Sequence, residues 1–239
     1  MSTGHFRRSA GKAGAPEVGT TSGALAPQLP DEVYLRTHRQ RYELLLGLVR
    51  SFAPRRILVV GPSHESELLR ELAPVDTLGW ADHRFPRVEG EKHVQHDLND
   101  LNYPELEPYD VIVCAEVIEH LHVPATPVLR CLAGGLAKGG RVVLQTPNAT
   151  ALPKRLRMVL GRNPYDPIRD EPANPGHFHE YTVGELRNAV KAADLRVVQL
   201  VSANYFDHGS RKNRLYRAVE PLLPGTLREG ITVVAMRSR

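Results

Sequence analysis

Between residues 57 and 236, short aliphatic runs alternate with amphipathic stretches of helical period, and this alternation leaves few folds open. Strands that are apolar at every position are buried on both faces, and a return to a parallel neighbour needs a helical crossover. Residues 57–60, 76–80, 93–96, 111–115 and 141–146 read as five such strands, and 195–201 and 231–236 as two more. Between them, Leu68, Leu69 and Leu72 line one helix, and Val128, Leu129, Leu132 and Leu136 line another that Gly139 and Gly140 terminate. Thr182 and Glu185 form a capping box ahead of Leu186, Ala189, Val190 and Ala193. Before the first strand, Tyr42, Leu45, Leu46, Val49 and Phe52 recur at helical spacing until Pro54 stops the pattern. The expected architecture is α/β, a doubly wound, mostly parallel sheet with helices on both faces.

Residues 1–30 are rich in Gly, Ala, Ser, Thr and Pro and lack an apolar period, so they read as a disordered tail ahead of one domain over 31–239. The formal charge of +4 shrinks to +2 once Arg7, Arg8, Lys12 and Glu17 of that tail are set aside. Such a body carries no phosphate-binding footprint, so nucleic acid is not an expected partner. Cys114 and Cys131 have no metal or disulfide spacing and read as reduced core residues. No apolar region follows Arg7 and Arg8, and the run 44–49 is too short to cross a bilayer, so the expectation is a cytoplasmic protein.

Gly61, directly after the first strand, permits close approach of a nucleotide-like cofactor, with helix N-terminal amides beyond it. Asp82 follows near the end of the second strand, where a carboxylate can accept hydrogen bonds from ribose hydroxyls. Asp97, with Leu98 beside it, ends the third strand in position to meet an adenine edge. Glu116, Glu119 and His120 follow the fourth strand at i, i+3 and i+4, a spacing that brings ligating groups to one side of a turn.

The blocks DVIVCAEVIEHL from Asp110, LAKGGRVVLQTPN ending at Asn148, and GHFHEYTVGEL from Gly176 resemble class I S-adenosylmethionine-dependent methyltransferases, in the group that includes ubiquinone-biosynthesis O-methyltransferases. The resemblance covers roughly residues 40–202. It implies S-adenosylmethionine as donor and a seven-stranded sheet with an antiparallel last strand, in keeping with the strands read above. The first motif departs from the family: its usual acidic residue and GxGxG run are replaced by Val59 and Gly61, Pro62, Ser63, His64, Glu65. Ser63 can cap the next helix and donate a hydroxyl in place of the missing contacts. A donor site lost through this change would leave a non-catalytic binding module.

The resemblance also implies a metal. Small-RNA 2′-O-methyltransferases and some ubiquinone-pathway enzymes carry a similar ExxEH run with a later histidine, which here would make Glu116, Glu119, His120 and His177 ligands of Mg or Mn. The same run occurs without metal; Glu116 then contacts the cofactor region, and His120 or His177 is the general base. The expected acceptor is a small-molecule hydroxyl on a sugar, glycan precursor or phenolic ring, with RNA 2′-O-methylation as the alternative.

Two segments outside the alternation, 148–176 and 203–229, follow strands at the ligand-binding edge and are expected lids. Lys154, Arg155, Arg157 and Arg162 surround Leu152, Leu156, Met158, Val159 and Leu160; a similar mixture runs from Arg211 to Arg217. Such helices usually pack their apolar face on the domain, and the other reading is peripheral contact with an anionic membrane.

Overall fold

Strand β1 (Ile57–Val60) is buried at all four positions and lies at the centre of the sheet. The computed structural model describes residues 31–165, 167–170, 176–207, 209 and 211–238, and the tail expected over 1–30 lies outside the described residues. The other strands are β2 (Val75–Gly79), β3 (His93–Gln95), β4 (Tyr109–Ala115), β5 (Leu136–Pro147), β6 (Leu195–Ala203) and β7 (Gly230–Arg237), in the order β3-β2-β1-β4-β5-β7-β6. Pairing is parallel from β3 through β5, and β7 runs antiparallel to both β5 and β6.

Side chains alternate across the sheet and feed two cores. Ile57, Val59, Val111 and Val143 pack beneath α2 (Arg39–Ser51) and α3 (His64–Leu69). Leu58, Val60, Ile112 and Leu144 pack beneath α4 (Ala125–Gly134) and α6 (Val183–Ala192). Each buried aliphatic side chain contributes roughly 1.5–3 kcal/mol, so both faces hold the sheet. The strand order reverses between β1 and β4, and their carboxyl ends frame the crevice where open α/β sheets bind ligands.

Strand ends shift by a few residues from the sequence expectation, and larger differences fall at the N-terminal helix and at the end of α4. The N-terminal helix is two, α1 (Asp31–Thr37) and α2, broken at His38, whose Nδ1 bonds the Tyr34 carbonyl at 2.8 Å. Helix α4 ends at Gly134 rather than at Gly139 and Gly140; its C-cap is Gly135, packed so closely on Leu106 that a Cβ would meet that side chain at 2.8 Å. Leu136 already pairs with Tyr109, and pairing resumes at Val111 with Arg141 after an irregularity that contains Gly139 at φ +79°. The capping box at Thr182 is as expected: Thr182 N–H donates to Glu185 Oε2 at 2.8 Å, and Glu185 N–H to Thr182 Oγ1 at 3.2 Å.

The segments expected as lids carry α5 (Leu152–Val159) and α7 (Arg211–Val219). They share a base, where Asn148 Nδ2 donates to the Thr226 and Arg228 carbonyls at 3.1 and 2.7 Å and Tyr216 Oη donates to the Leu227 carbonyl at 3.2 Å. Among the described residues no helix is long and apolar enough to cross a membrane.

Candidate functional site

The chain leaves β1 through Gly61 at φ +80°, a left-handed conformation that favours glycine, and the Gly61 N–H bonds the Leu78 carbonyl at 2.8 Å. A Cβ there would meet only the Val117 methyl, at 3.6 Å, so backbone is presented at the mouth between β1 and β4. Ser63 is the N-cap of α3 and its N–H donates to Ser66 Oγ at 3.2 Å. Helix α3 has only six residues, and polar contacts at this turn fall instead to side chains.

Those side chains are Arg41 and Glu65, which sequence reading passed over. Arg41 of α2 is buried and its Nη1 donates to Glu65 Oε1 at 2.5 Å, while its Nε is sealed without a partner. Burial alone would raise the Glu65 carboxyl, but the Arg41 guanidinium and the Ser63 hydroxyl outweigh it and hold Glu65 below the usual carboxylate range. The missed signal was a charge at i−4 from Leu45, within the apolar stripe of α2.

Across the mouth, Glu116 follows β4 at φ +54°, uncommon for a residue with a Cβ, and its N–H bonds the Gln145 carbonyl at 2.9 Å. Its Oε1 is sealed and unpartnered. Burial pushes the carboxyl up, Arg41 pulls it down and Glu65 pushes it up again, which together leave it raised to about 7. One guanidinium thus serves two carboxylates.

Glu119 lies in a 3₁₀ turn, Ile118–His120, fully buried; Thr146 Oγ1 donates to its Oε2 at 2.9 Å and its Oε1 has no partner. Burial and the nearby Glu116 raise its carboxyl well above the usual range. The Glu119 carbonyl accepts the Phe178 N–H at 2.8 Å, which brings the loop before α6 onto the site. His120 donates from Nδ1 to the Gly176 carbonyl at 2.9 Å, leaving the lone pair on Nε2, and burial lowers its pKa. His177 places Nδ1 3.0 Å from Glu180 Oε1, with its ring centroid 4.8 Å from that of His120. Glu119, His120 and His177 each offer one ligand atom, all within 4.8 Å of one another. Glu116 is not part of this group and faces Arg41 instead, so the structure narrows the expected four ligands to three.

Asp82 stands in the turn after β2, held by Arg84, whose Nη2 donates to Oδ2 at 2.6 Å; these bonds keep its carboxyl below the ordinary aspartate range. It lines a cavity of about 420 Å³ with Pro62, Thr77, Phe85 and His93. Asp97 is exposed and accepts the Asn99 N–H at 2.9 Å, and the Leu98 side chain is buried in the core. Trp80, the single tryptophan, is 67% exposed two residues before Asp82. A nucleoside seated by Asp82 would shield it, and on that expectation titration with S-adenosylhomocysteine should change tryptophan emission saturably in the wild type and far less in Asp82→Ala. An emission unaffected by the ligand would count against a nucleoside at this turn.

A glycine turn after the central strand, an aspartate after the next, and a carboxylate across the switch point lie together at the edge where doubly wound sheets bind their ligands. The chain belongs to the methyltransferase domain family, whose model matches residues 30–200. It is 29% identical over 72% of its length to a probable S-adenosylmethionine-dependent methyltransferase of Mycolicibacterium smegmatis, and 34% identical over 54% to one of Mycobacterium tuberculosis. The aligned region spans 63% and 39% of those two relatives. Its fold is shared with the N-methyltransferase NodS of Bradyrhizobium japonicum, solved in complex with S-adenosyl-L-homocysteine, at a TM-score of 0.53 and 15% identity, covering 84% of this chain and 87% of that one.

Proposed function

We propose that the protein is an S-adenosylmethionine-dependent methyltransferase acting on a hydroxyl oxygen of a small molecule, within the ubiquinone O-methyltransferase-like group. The observation that carries the hydroxyl reading is the convergence of Glu119, His120 and His177 beside the glycine turn. The donor fits the residues present: the Arg41 Nε and Glu116 Oε1 are sealed polar atoms lacking partners, suited to the carboxylate and ammonium of an amino acid moiety, and Asp82 is ionised for ribose hydroxyls. Bound there, S-adenosylmethionine supplies an electrophilic methyl on a sulfonium, which becomes a thioether when the C–S bond breaks.

The acceptor oxygen forms the new C–O bond and loses its proton, and His120 Nε2 is the base that receives it. Its lowered pKa keeps the imidazole neutral at physiological pH, ready to accept. His177 and Glu119 orient the hydroxyl, and much of the rate comes from positioning.

A second reading makes His120 Nε2 a ligand and not the base: the same three residues fit a divalent cation, because the orphaned Glu119 Oε1 and the tautomer of His120 present ligating lone pairs while Gly176 and Thr146 support them from behind. Mg or Mn held there would lower the pKa of the acceptor hydroxyl. The test is methyl transfer from labelled donor to a panel of sugars and phenols, with and without chelator. Chelation should abolish transfer, with Mg or Mn restoring it, and His177→Ala should weaken calorimetric Mn binding. Full activity in excess chelator removes the metal and leaves His120 as base; no transfer to any hydroxyl acceptor, with transfer to amines, removes the hydroxyl reading.

A further inference from the structure

Helix α5 has no buried residue, contrary to the expectation that its apolar face packs on the domain. Leu152, Leu156, Val159 and Leu160 fall at i, i+4, i+7 and i+8, one stripe, and the last three are 55%, 84% and 71% exposed. Arg155 and Arg157 flank the stripe, Arg162 follows it, and the helix contains no acidic residue. Helix α7, rising from the same base, repeats the chemistry: its sequence RKNRLYRAV has no acid, and Leu215 and the nearby Leu222 are 69% and 85% exposed.

We propose that this basic, apolar rim is a docking surface for an anionic lipid bilayer. A water-exposed stripe of branched aliphatics between arginines suits the plane of a membrane interface, where the apolar face enters the acyl boundary and the guanidinium groups meet phosphates. A second copy of the chain is a poorer occupant, since an isologous contact would set these arginines against their own kind. The N-terminal segment of residues 1–30 is excluded on the same ground, having three basic residues to one acidic.

The test is flotation of the full chain with vesicles of phosphatidylcholine alone and with about one third phosphatidylglycerol. Recruitment should occur on the anionic vesicles, weaken as salt shortens the Debye length, and fall about tenfold or more in the double variant Leu156→Glu, Val159→Glu and in Arg155→Gln, Arg157→Gln. Both variants alter exposed positions, and an unchanged urea midpoint verifies that they fold. No recruitment at low salt, equal recruitment to neutral vesicles, or recruitment indifferent to the α5 substitutions overturns the proposal. So does a concentration-dependent dimer, lost in the same variants, in a protein that ignores vesicles.

Discussion

Replacing Arg41 by leucine lowers stability by about 3–5 kcal/mol at neutral pH, because it strands buried carboxylates without their cation. It also removes measurable donor binding. Glu65 loses its buried ion-pair partner, and Glu116 loses the charge that restrains its upward shift. The pH dependence has a definite sign. In the wild type the Glu65 carboxyl lies below its ordinary value, so its contribution is present above that value and lost as pH falls through the lower, folded one. In the variant the folded carboxyl lies above its ordinary value, and the folded state binds more protons than the unfolded, so stability rises on acidification. The difference between the two proteins is therefore greatest at and above neutrality and shrinks toward pH ~4.5. Urea midpoints across that range check it, with Arg39→Leu as control: its partner Glu43 is exposed, and the midpoint should not move. Equal stability of Arg41→Leu and wild type at pH ~7.5 would sink the assignment of Arg41 as the shared cation.

Gly230→Ala should cost about 3 kcal/mol. Here the constraint is space, not φ: a Cβ would fall inside the ring of Tyr205, which is itself fully buried and bonded through its hydroxyl to Thr232 Oγ1. Gly230 opposes both Pro147 and Ala203 in the sheet, so the ring is clamped where the segments carrying α5 and α7 meet β7. Truncating the ring in the double variant Gly230→Ala, Tyr205→Ala removes the clash, and its loss should be smaller than the sum of the two single losses. Strict additivity in a urea titration would show that the ring is not what the glycine accommodates.

The site was legible in parts, for reasons that differ residue by residue. Gly61 and Asp82 could be read because a glycine after a strand and an acid after the next are local features with a positional meaning. Glu116, Glu119 and His120 could be read as a group, but not where each faces. The i, i+3, i+4 rule presumes a continuous helix, whereas Glu116 is a strand exit at positive φ and only Ile118–His120 forms a 3₁₀ turn. The backbone therefore sends Glu116 toward Arg41 and Glu119 toward the histidines. Arg41 was invisible as a site residue because its partners lie 24 and 75 positions along the chain.

Local periodicity and turn chemistry decided the strands, the capping box at Thr182 and the doubly wound class, since these depend on neighbours within a few residues. Tertiary packing alone decided that α4 gives way to the sheet at Gly135, where Leu106 leaves no room for a Cβ, and that the α5 stripe is exposed. It also decided that one buried guanidinium pairs with Glu65 and draws down the Glu116 carboxyl as well. Such outcomes follow from volume and charge brought together across the sheet, and a pattern along the chain carries no record of what lies on the other side of it.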